Sequence, residues 1–576
     1  MTKQDAATPQ DEAPARPKSS LTGDIVGGFV AGLYSVPEGI GYAQLAGLNP
    51  MLGIYSGMVP VAVAAATTGS VLMMSTLTSA IALTSGGIFT GAGYTSSQLT
   101  QAAVTLSLLA GLMMVVLGVL KLGKVVNFVS NAVMTGFVMG VAILIMVGKF
   151  DDIFGYKPTG ISNKVVEALD ILVHPQDWSI PTTVVGIGTI LLAFGLKAIK
   201  PLSRYALVIS VGIGTLVVYL LQVDTKLISD VATIPSGLAA LPVPSSSTLP
   251  DLSMVPTLLA GAVSVALVAL AQGAGIRPAF PNPSGPQASS SRDFLGQGLG
   301  NVAGAFFQSP PTGGSLSRTA VSADGGARSR RAGFFSAATV ILLVVLFAPV
   351  VGQIPEAVIG GLLFVIGVEL VMGRMPDAQL AWRTGKAPRF LFLITLIMTL
   401  TIPLQWAILG GAVLSLIAFV AESSHAASLR LVAKDGDGWL VSDGVPPTIP
   451  EDDVVTLWYD GPSFFAEVPT LMEEMPRPVV GQRPGVVVLN CVLLRNLSST
   501  MIKSLRKYHD ELAEHGCGLV LTGIEDGQRT TLRETGVLDD FGEANVLGID
   551  PHLGANIDRG HARGHELLAE LAAPQR

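Results

Sequence analysis

Eleven apolar runs of roughly membrane-spanning length dominate the chain up to residue 421, at 24–46, 50–68, 101–120, 125–148, 181–200, 205–222, 254–276, 333–351, 356–373, 388–402 and 405–421. A helix needs about 20 apolar residues to cross a bilayer. Inside hydrocarbon every peptide group must find its partner within the protein, so such runs become helices packed on one another. Charged residues make up 13% of the chain, against about 25% in ordinary soluble domains. The pattern predicts a polytopic α-helical membrane protein.

Three more stretches fit the series less cleanly: a Gly-rich span at 294–308, and two irregular segments at 69–90 and 310–326 crowded with Gly, Ser and Thr. Counting the short ones as half-spanning helices gives fourteen elements, with the two broken segments third and tenth. Interrupted segments in corresponding places point to an inverted-repeat transporter with its site between them. Residues 161–173 contain Lys164, Glu167 and Asp170 and read as a surface helix.

The tenth element carries the sharpest chemical signal. Two prolines and two glycines break it at Pro310-Pro311-Thr312-Gly313-Gly314, and Ser315 is a good N-cap for the helix that follows. The first amides of a helix lack partners within it, and the helix dipole adds partial positive charge there. Arg318 lies three residues inside the cap. This is how a pocket for a small anion is built at membrane depth. A Pro/Gly loop whose arginine snorkels to lipid phosphate is the competing reading of the same residues.

Basic residues set the orientation. With the N-terminus in the cytoplasm, seventeen Lys and Arg fall inside and four (Lys149, Lys157, Lys164, Lys226) outside, as the positive-inside rule requires. Residues 1–20 are polar and Pro/Ala-rich and read as a disordered cytoplasmic lead. Residues 1–424 hold 22 Lys+Arg against 19 Asp+Glu, a net +3, whereas residues 425–576 hold 13 against 23, a net −10. An acidic cytoplasmic tail follows, and nucleic acid is an unsuitable partner. Cys491 and Cys517 lie in that tail without paired spacing and are expected as free thiols. The seven histidines form no metal-ligand cluster. No metal, cofactor or catalytic constellation is expected, and the chain does not read as an enzyme.

Four stretches resemble the SulP anion permease family, the bacterial relatives of the solute-carrier-26 anion transporters. They are Pro37-Glu38-Gly39-Ile40-Gly41-Tyr42-Ala43-Gln44-Leu45-Ala46-Gly47-Leu48-Asn49-Pro50 with Gly53-Ile54-Tyr55; Phe128 to Phe137; Gly298 to Ala327 through Ser315-Leu316-Ser317-Arg318-Thr319; and Asp460-Gly461-Pro462-Ser463-Phe464-Phe465-Ala466. The resemblance implies a seven-plus-seven inverted repeat with a core (elements 1–4 and 8–11) that moves past a gate (5–7 and 12–14) in elevator fashion. It places the anion between the N-termini of half-helices 3 and 10, beside element 1. Carried onto this chain, the substrate-binding residues are Ser75, Thr76, Thr78 and Ser79, then Gly314, Ser315, Leu316, Ser317 and Arg318, with Tyr42 beside them. A homodimer in the inner (plasma) membrane is also implied, as is a small anion: sulfate, bicarbonate, chloride or a dicarboxylate.

Two departures bear on coupling and substrate. Family members often read a basic residue and then Ser-x-Gly-Pro before half-helix 3, whereas this chain reads Gly69-Ser70-Val71-Leu72-Met73-Met74-Ser75. Proton-coupled members tend to carry a Glu in element 8, where this chain has Gln272. An amide takes up no proton at physiological pH, which leaves exchange, cation coupling or uncoupled flux. Glu38, a carboxylate at membrane depth, could bind a proton or cation, orient donors, pair with Arg318 or sit on a solvated rim. Asn131 and Asn301 read as interhelical or structural amides. Alternative functions are an uncoupled channel or electromotile protein, and a nucleobase permease of the same architecture.

In the tail, apolar runs at 454–459, 486–490 and 518–522 alternate with helix-like stretches at 464–475, 499–515 and 528–536. The alternation predicts an α/β sheet, and with the Asp-Gly-Pro-x-Phe-Phe motif it resembles a STAS domain. Ser498 and Ser499 read as helix N-capping residues rather than a phosphorylation switch. The expected organisation is a lead at 1–20, a transport domain at 21–424, a STAS domain at 425–553 and a tail at 554–576.

Overall fold

The computed structural model describes residues 20–573 except 124–128, 160–162, 204, 232–234, 246–247, 284–285, 424–427, 437, 461–466, 495–496 and 553. The polar lead, Phe128, the 424/425 boundary and most of the Asp-Gly-Pro-x-Phe-Phe motif lie outside the described residues. The chain divides into two compact units, Met1–Leu416 and Ile417–Arg576.

The first series of helices opens with α1 (Leu21–Leu45), capped by Ser20, whose side chain accepts from the Gly23 amide. The next span is interrupted between α2 (Pro50–Tyr55) and α3 (Val59–Thr67). Strand β1 (Met74–Thr76) then leads into α4 (Ser79–Gly91), followed by α5 (Leu99–Val119), α6 (Asn131–Val147) and the short α7 (Phe150–Phe154). Helix α8 (Lys164–Val173) buries Glu167, Ala168 and Ile171 and exposes most of its other residues, as a surface helix does. Helices α9 (Ile180–Ala198), α10 (Lys200–Ser203), α11 (Ala206–Leu221) and α12 (Ile228–Val231) close the series.

The second series runs α13 (Val255–Ala279), α14 (Ser290–Ala305), β2 (Gly313–Ser315), α15 (Leu316–Asp324), α16 (Arg331–Gly352), α17 (Glu356–Thr384), α18 (Lys386–Thr401) and α19 (Leu404–Ser423). Among the described residues six helical stretches, Leu99–Val119 and Glu356–Thr384 among them, are long and apolar enough to cross a bilayer.

Packing sorts these helices into two groups. Helices α1, α3, α5, α13, α14, α15 and α16 pack on one another, with α4 against α13. Helices α6, α7, α9, α11, α17 and α18 form the other group. Within the first, α1 crosses α2 at Gly39 and Gly53, where a Cβ on Gly53 would lie 1.8 Å from the Gly39 carbonyl oxygen. Only hydrogen side chains permit that approach, and it brings the Pro37–Tyr42 segment of α1 against the broken second span.

In the second unit β3 (Ser428–Asp435), β4 (Gly438–Ser442), β5 (Val454–Asp460), β6 (Val486–Asn490), β7 (Gly518–Ile524) and β8 (Val546–Gly548) form one sheet of order β4-β3-β5-β6-β7-β8. Strand β3 is antiparallel to both neighbours, and β5 to β8 are parallel. Helices α20 (Val468–Glu474), α21 (Ser499–Glu514), α22 (Asp526–Glu534) and α23 (Val537–Phe541) share a core with Val455, Leu457, Val487, Leu489, Leu519 and Leu521. The alternate residues Val454, Val486, Val488 and Val520 cluster with Leu567 of α24 (Ala555–Ala572) on the opposite face. Both faces are covered, which is why the parallel strands read as unbroken apolar runs.

Residues 555–572 therefore form a helix on the sheet, where the sequence reading has only a tail beyond residue 553. A Cβ on Gly560 or Gly564 would come within 2.8 Å of Thr522 or 2.7 Å of Val454. These glycines let α24 lie close to the strands, and they also weaken its helical signature. Ser498 caps α21, accepting from the Met501 amide at 3.2 Å. Cys491 and Cys517 are buried free thiols, and burial pushes the Cys491 thiol up to about 12, which leaves it inert.

Candidate functional site

Strands β1 and β2 cross antiparallel, pairing Met74 with Ser315, Ser75 with Gly314 and Thr76 with Gly313. Each runs straight into a helix, so α4 and α15 leave the pair in opposite directions with their N-termini turned to the shared crossing. Free amides and the positive ends of two helix dipoles converge there. Thr78 caps α4, accepting from Ile81, and Ser315 caps α15, accepting from the Arg318 amide at 3.4 Å.

Arg318 is the largest fully buried side chain among the described residues, 1% exposed. Its Nε donates to Glu38 Oε2 at 2.9 Å and its Nη1 to Thr76 Oγ1. Among the described residues its buried Nη2 has no hydrogen-bond partner, and the buried Ser75 hydroxyl on the paired strand likewise has none. Glu38, 2% exposed, is thus an ion-pair partner and not a rim residue. A buried pair of this kind is held only if its remaining donors are satisfied, and an orphaned charged donor is costly. One guanidinium nitrogen is left over after the contacts that the described residues supply.

Surrounding groups hold this geometry. Tyr42, one helical turn beyond Glu38 on α1, is buried against Ser79 at the start of α4. Thr78 donates to Gln272 Oε1 of α13 at 2.8 Å. Leu316 and Ser317 are exposed on the open side of the α15 start, with the Ser317 hydroxyl 3.2 Å from that of Ser315. Asn131 opens α6, capped by Ser130, and is exposed. Asn301 grips the chain just before β2, and Arg330 donates to the Ala65 carbonyl.

Three contributors lie outside the expected set of binding residues. Ser56 donates to the Gly53 carbonyl, accepts from the Leu77 amide and lies 3.2 Å from Thr76 Oγ1. Thr319 donates back to Ser315 and accepts from the Met74 amide, tying α15 to β1. Gln297 of α14 accepts from the Gly314 amide at 2.9 Å. Ser and Thr in membrane helices usually satisfy their own backbone, so nothing local marks Ser56 or Thr319. Gln297 carries a visible signal, an amide inside a Gly-rich apolar run.

A helical membrane body with two half-helices meeting at a buried arginine, joined to an α/β domain, defines an integral-membrane anion transporter. The chain belongs to the sulfate permease family, whose pattern matches residues 21–395, and residues 446–555 match the STAS domain. A probable sulfate transporter of Mycobacterium tuberculosis is 26% identical over 92% of this chain and 93% of that one. Sulfate transporter 4.1, chloroplastic, of Arabidopsis thaliana is 24% identical over 90% of this chain and 78% of its own. The fold is that of murine solute carrier 26 family member A9, an anion transporter solved in the inward-facing state. That match has a TM-score of 0.79 at 17% identity and covers 99% of this chain and 96% of that one. The transmembrane domain of a cyanobacterial bicarbonate transporter matches at a TM-score of 0.55 and 21% identity, over 69% of this chain and 97% of that one.

Proposed function

We propose that the protein is a secondary transporter that carries a small anion between the N-termini of α4 and α15. The observation that carries this reading is the buried, unpartnered Nη2 of Arg318 beside the unpartnered Ser75 hydroxyl. Both can donate to one oxyanion or halide placed at the strand crossing. The ordering of charges explains how binding is kept reversible. Glu38 neutralises Arg318 when the pocket is empty, so an incoming anion competes with a built-in carboxylate rather than meeting a bare cation.

Transport follows if the group holding β1 and β2 shifts past the group built on α6 and α17, carrying the anion from one side to the other as an elevator. The names of its relatives make sulfate the first anion to test, with bicarbonate, chloride and dicarboxylates beside it. The basic-residue asymmetry supports a plasma-membrane protein with both termini in the cytoplasm, and homodimerisation accompanies this family reading. Uptake into proteoliposomes tests the proposal. Saturable flux that requires a counter-anion identifies an exchanger, and linear, voltage-driven flux identifies a channel.

Gln272 governs one further outcome. Its carbonyl oxygen accepts from Thr78, the cap of α4, and it cannot titrate. Gln272→Glu is expected to make uptake pH-dependent, faster as acid protonates the new carboxyl, because a neutral carboxyl beside the anion repels it less than a carboxylate does. Initial rates measured from pH 5 to 8 check this, and a flat profile identical to wild type counts against it.

A further inference from the structure

We infer that α14 is a strut that holds both helix starts in register, with Gln297 as a positioning residue of the anion site; the inference rests on the anion-binding reading above. Strands β1 and β2 are three residues each, far too short to fix their own placement. Beside the local ties through Thr319 and Ser56, one face of a single helix holds both segments. Asp293, Gln297 and Asn301 recur every four residues, so they lie in one stripe along α14. All three are buried, at 1%, 0% and 0% exposure.

Each rung holds a different point of the broken segments. The Asp293 carboxylate accepts from the Ser70 amide at 2.7 Å and its hydroxyl at 2.8 Å, just ahead of β1. Gln297 Oε1 accepts from the Gly314 amide within β2 at 2.9 Å. Asn301 accepts from the Thr312 amide at 2.6 Å and donates to the Thr312 carbonyl at 2.9 Å, just ahead of β2. It also donates to the Gln297 carbonyl, linking two rungs. Eight residues of helix span about 12 Å, so one rigid rod grips both unwound segments at a fixed separation. The two N-termini cannot slide past one another without breaking this stripe, and the site moves as one body.

Gln297 is the rung nearest the anion, since Gly314 pairs with Ser75. Its buried Nε2 has no partner among the described residues. Its amide occupies the notch left by Gly273 of α13, where an added Cβ would lie 2.6 Å from Nε2. Two substitutions therefore loosen the same contact by independent routes. Gln297→Met keeps the volume and removes the acceptor, and Gly273→Ala pushes the amide aside from the neighbouring helix.

Both variants are made in the full-length protein. Sodium sulfate, bicarbonate, chloride and succinate are titrated by thermal stabilisation, and uptake is followed with the anion that binds wild type best. Gln297→Met is expected to raise the half-saturating concentration about tenfold, with maximal uptake within about threefold of wild type. Gly273→Ala moves affinity in the same direction by about threefold or more. A role in stability alone would lower the amount of folded protein and leave its half-saturating concentration unchanged. Wild-type affinity in both variants overturns the proposal, as does a loss of maximal uptake at unchanged affinity. If Gln297→Met does not fold, Gly273→Ala decides alone. If Arg318→Ala loses binding while both strut variants keep it, the strut fails and the site stands; if Arg318→Ala keeps wild-type affinity, the site itself fails.

Discussion

Arg318→Ala is expected to cut anion uptake about a hundredfold, the effect of losing charge-assisted hydrogen bonds in a poorly hydrated pocket. The substitution removes the free Nη2 together with the donors to Glu38 and Thr76. It also leaves Glu38 buried and unpaired, and breaking a buried pair from one side costs about 3–5 kcal/mol. Loss of transport could then reflect loss of fold. The double variant Glu38→Gln/Arg318→Ala separates the two, because it removes both charges. It is expected to regain thermal stability and to remain inactive. Arg318→Lys keeps a point charge without the planar fork and should recover uptake in part. Wild-type uptake by a folded Arg318→Ala protein would assign the arginine to packing.

Glu38→Gln is expected to act in the opposite direction on affinity. The amide can still accept from Arg318 Nε, but the counter-charge is gone, so an anion becomes the only neutraliser of a buried guanidinium. Apparent affinity should tighten about tenfold, with release and turnover slowed, since differential binding of the loaded state is what changes. The empty variant should unfold at lower temperature than wild type, and saturating anion should restore more of that loss than it adds to wild type. Any pH or cation dependence of wild-type uptake that arises at Glu38 should vanish as well. Unchanged affinity, with equal stabilisation by anion in both proteins, would remove Glu38 from the account.

How much of this was legible in the chain depends on the range of the interaction involved. The spans were readable because hydrocarbon forces each peptide group to be satisfied locally, so helix length and apolarity carry the signal. The start of α15 was readable for the same reason, because a Pro/Gly break, a capping Ser315 and Arg318 all fall within nine residues. The partner of Arg318 was not. Glu38 lies 280 residues away, and pairing was one of several roles its position allowed. Gln297 stood out as an amide in a Gly-rich apolar run, but its role did not, because that role depends on Gly314 and Gly273, which only packing brings to it. In the second unit the inner strands stood out by being buried on both faces. The edge strand β4 and its neighbour β3 mix apolar and polar residues, and α24 is punctuated by Gly560 and Gly564, so none of the three had a distinct local pattern.

An anion held at the crossing of β1 and β2 can be seen outright. Anomalous diffraction from crystals of the full-length protein soaked in selenate or bromide tests it most directly. A peak is expected within hydrogen-bond reach of Arg318 Nη2 and Ser75 Oγ, between the N-termini of α4 and α15, that disappears in Arg318→Ala. A bound anion elsewhere in the membrane unit, with the strand crossing empty at saturating concentration, would contradict it.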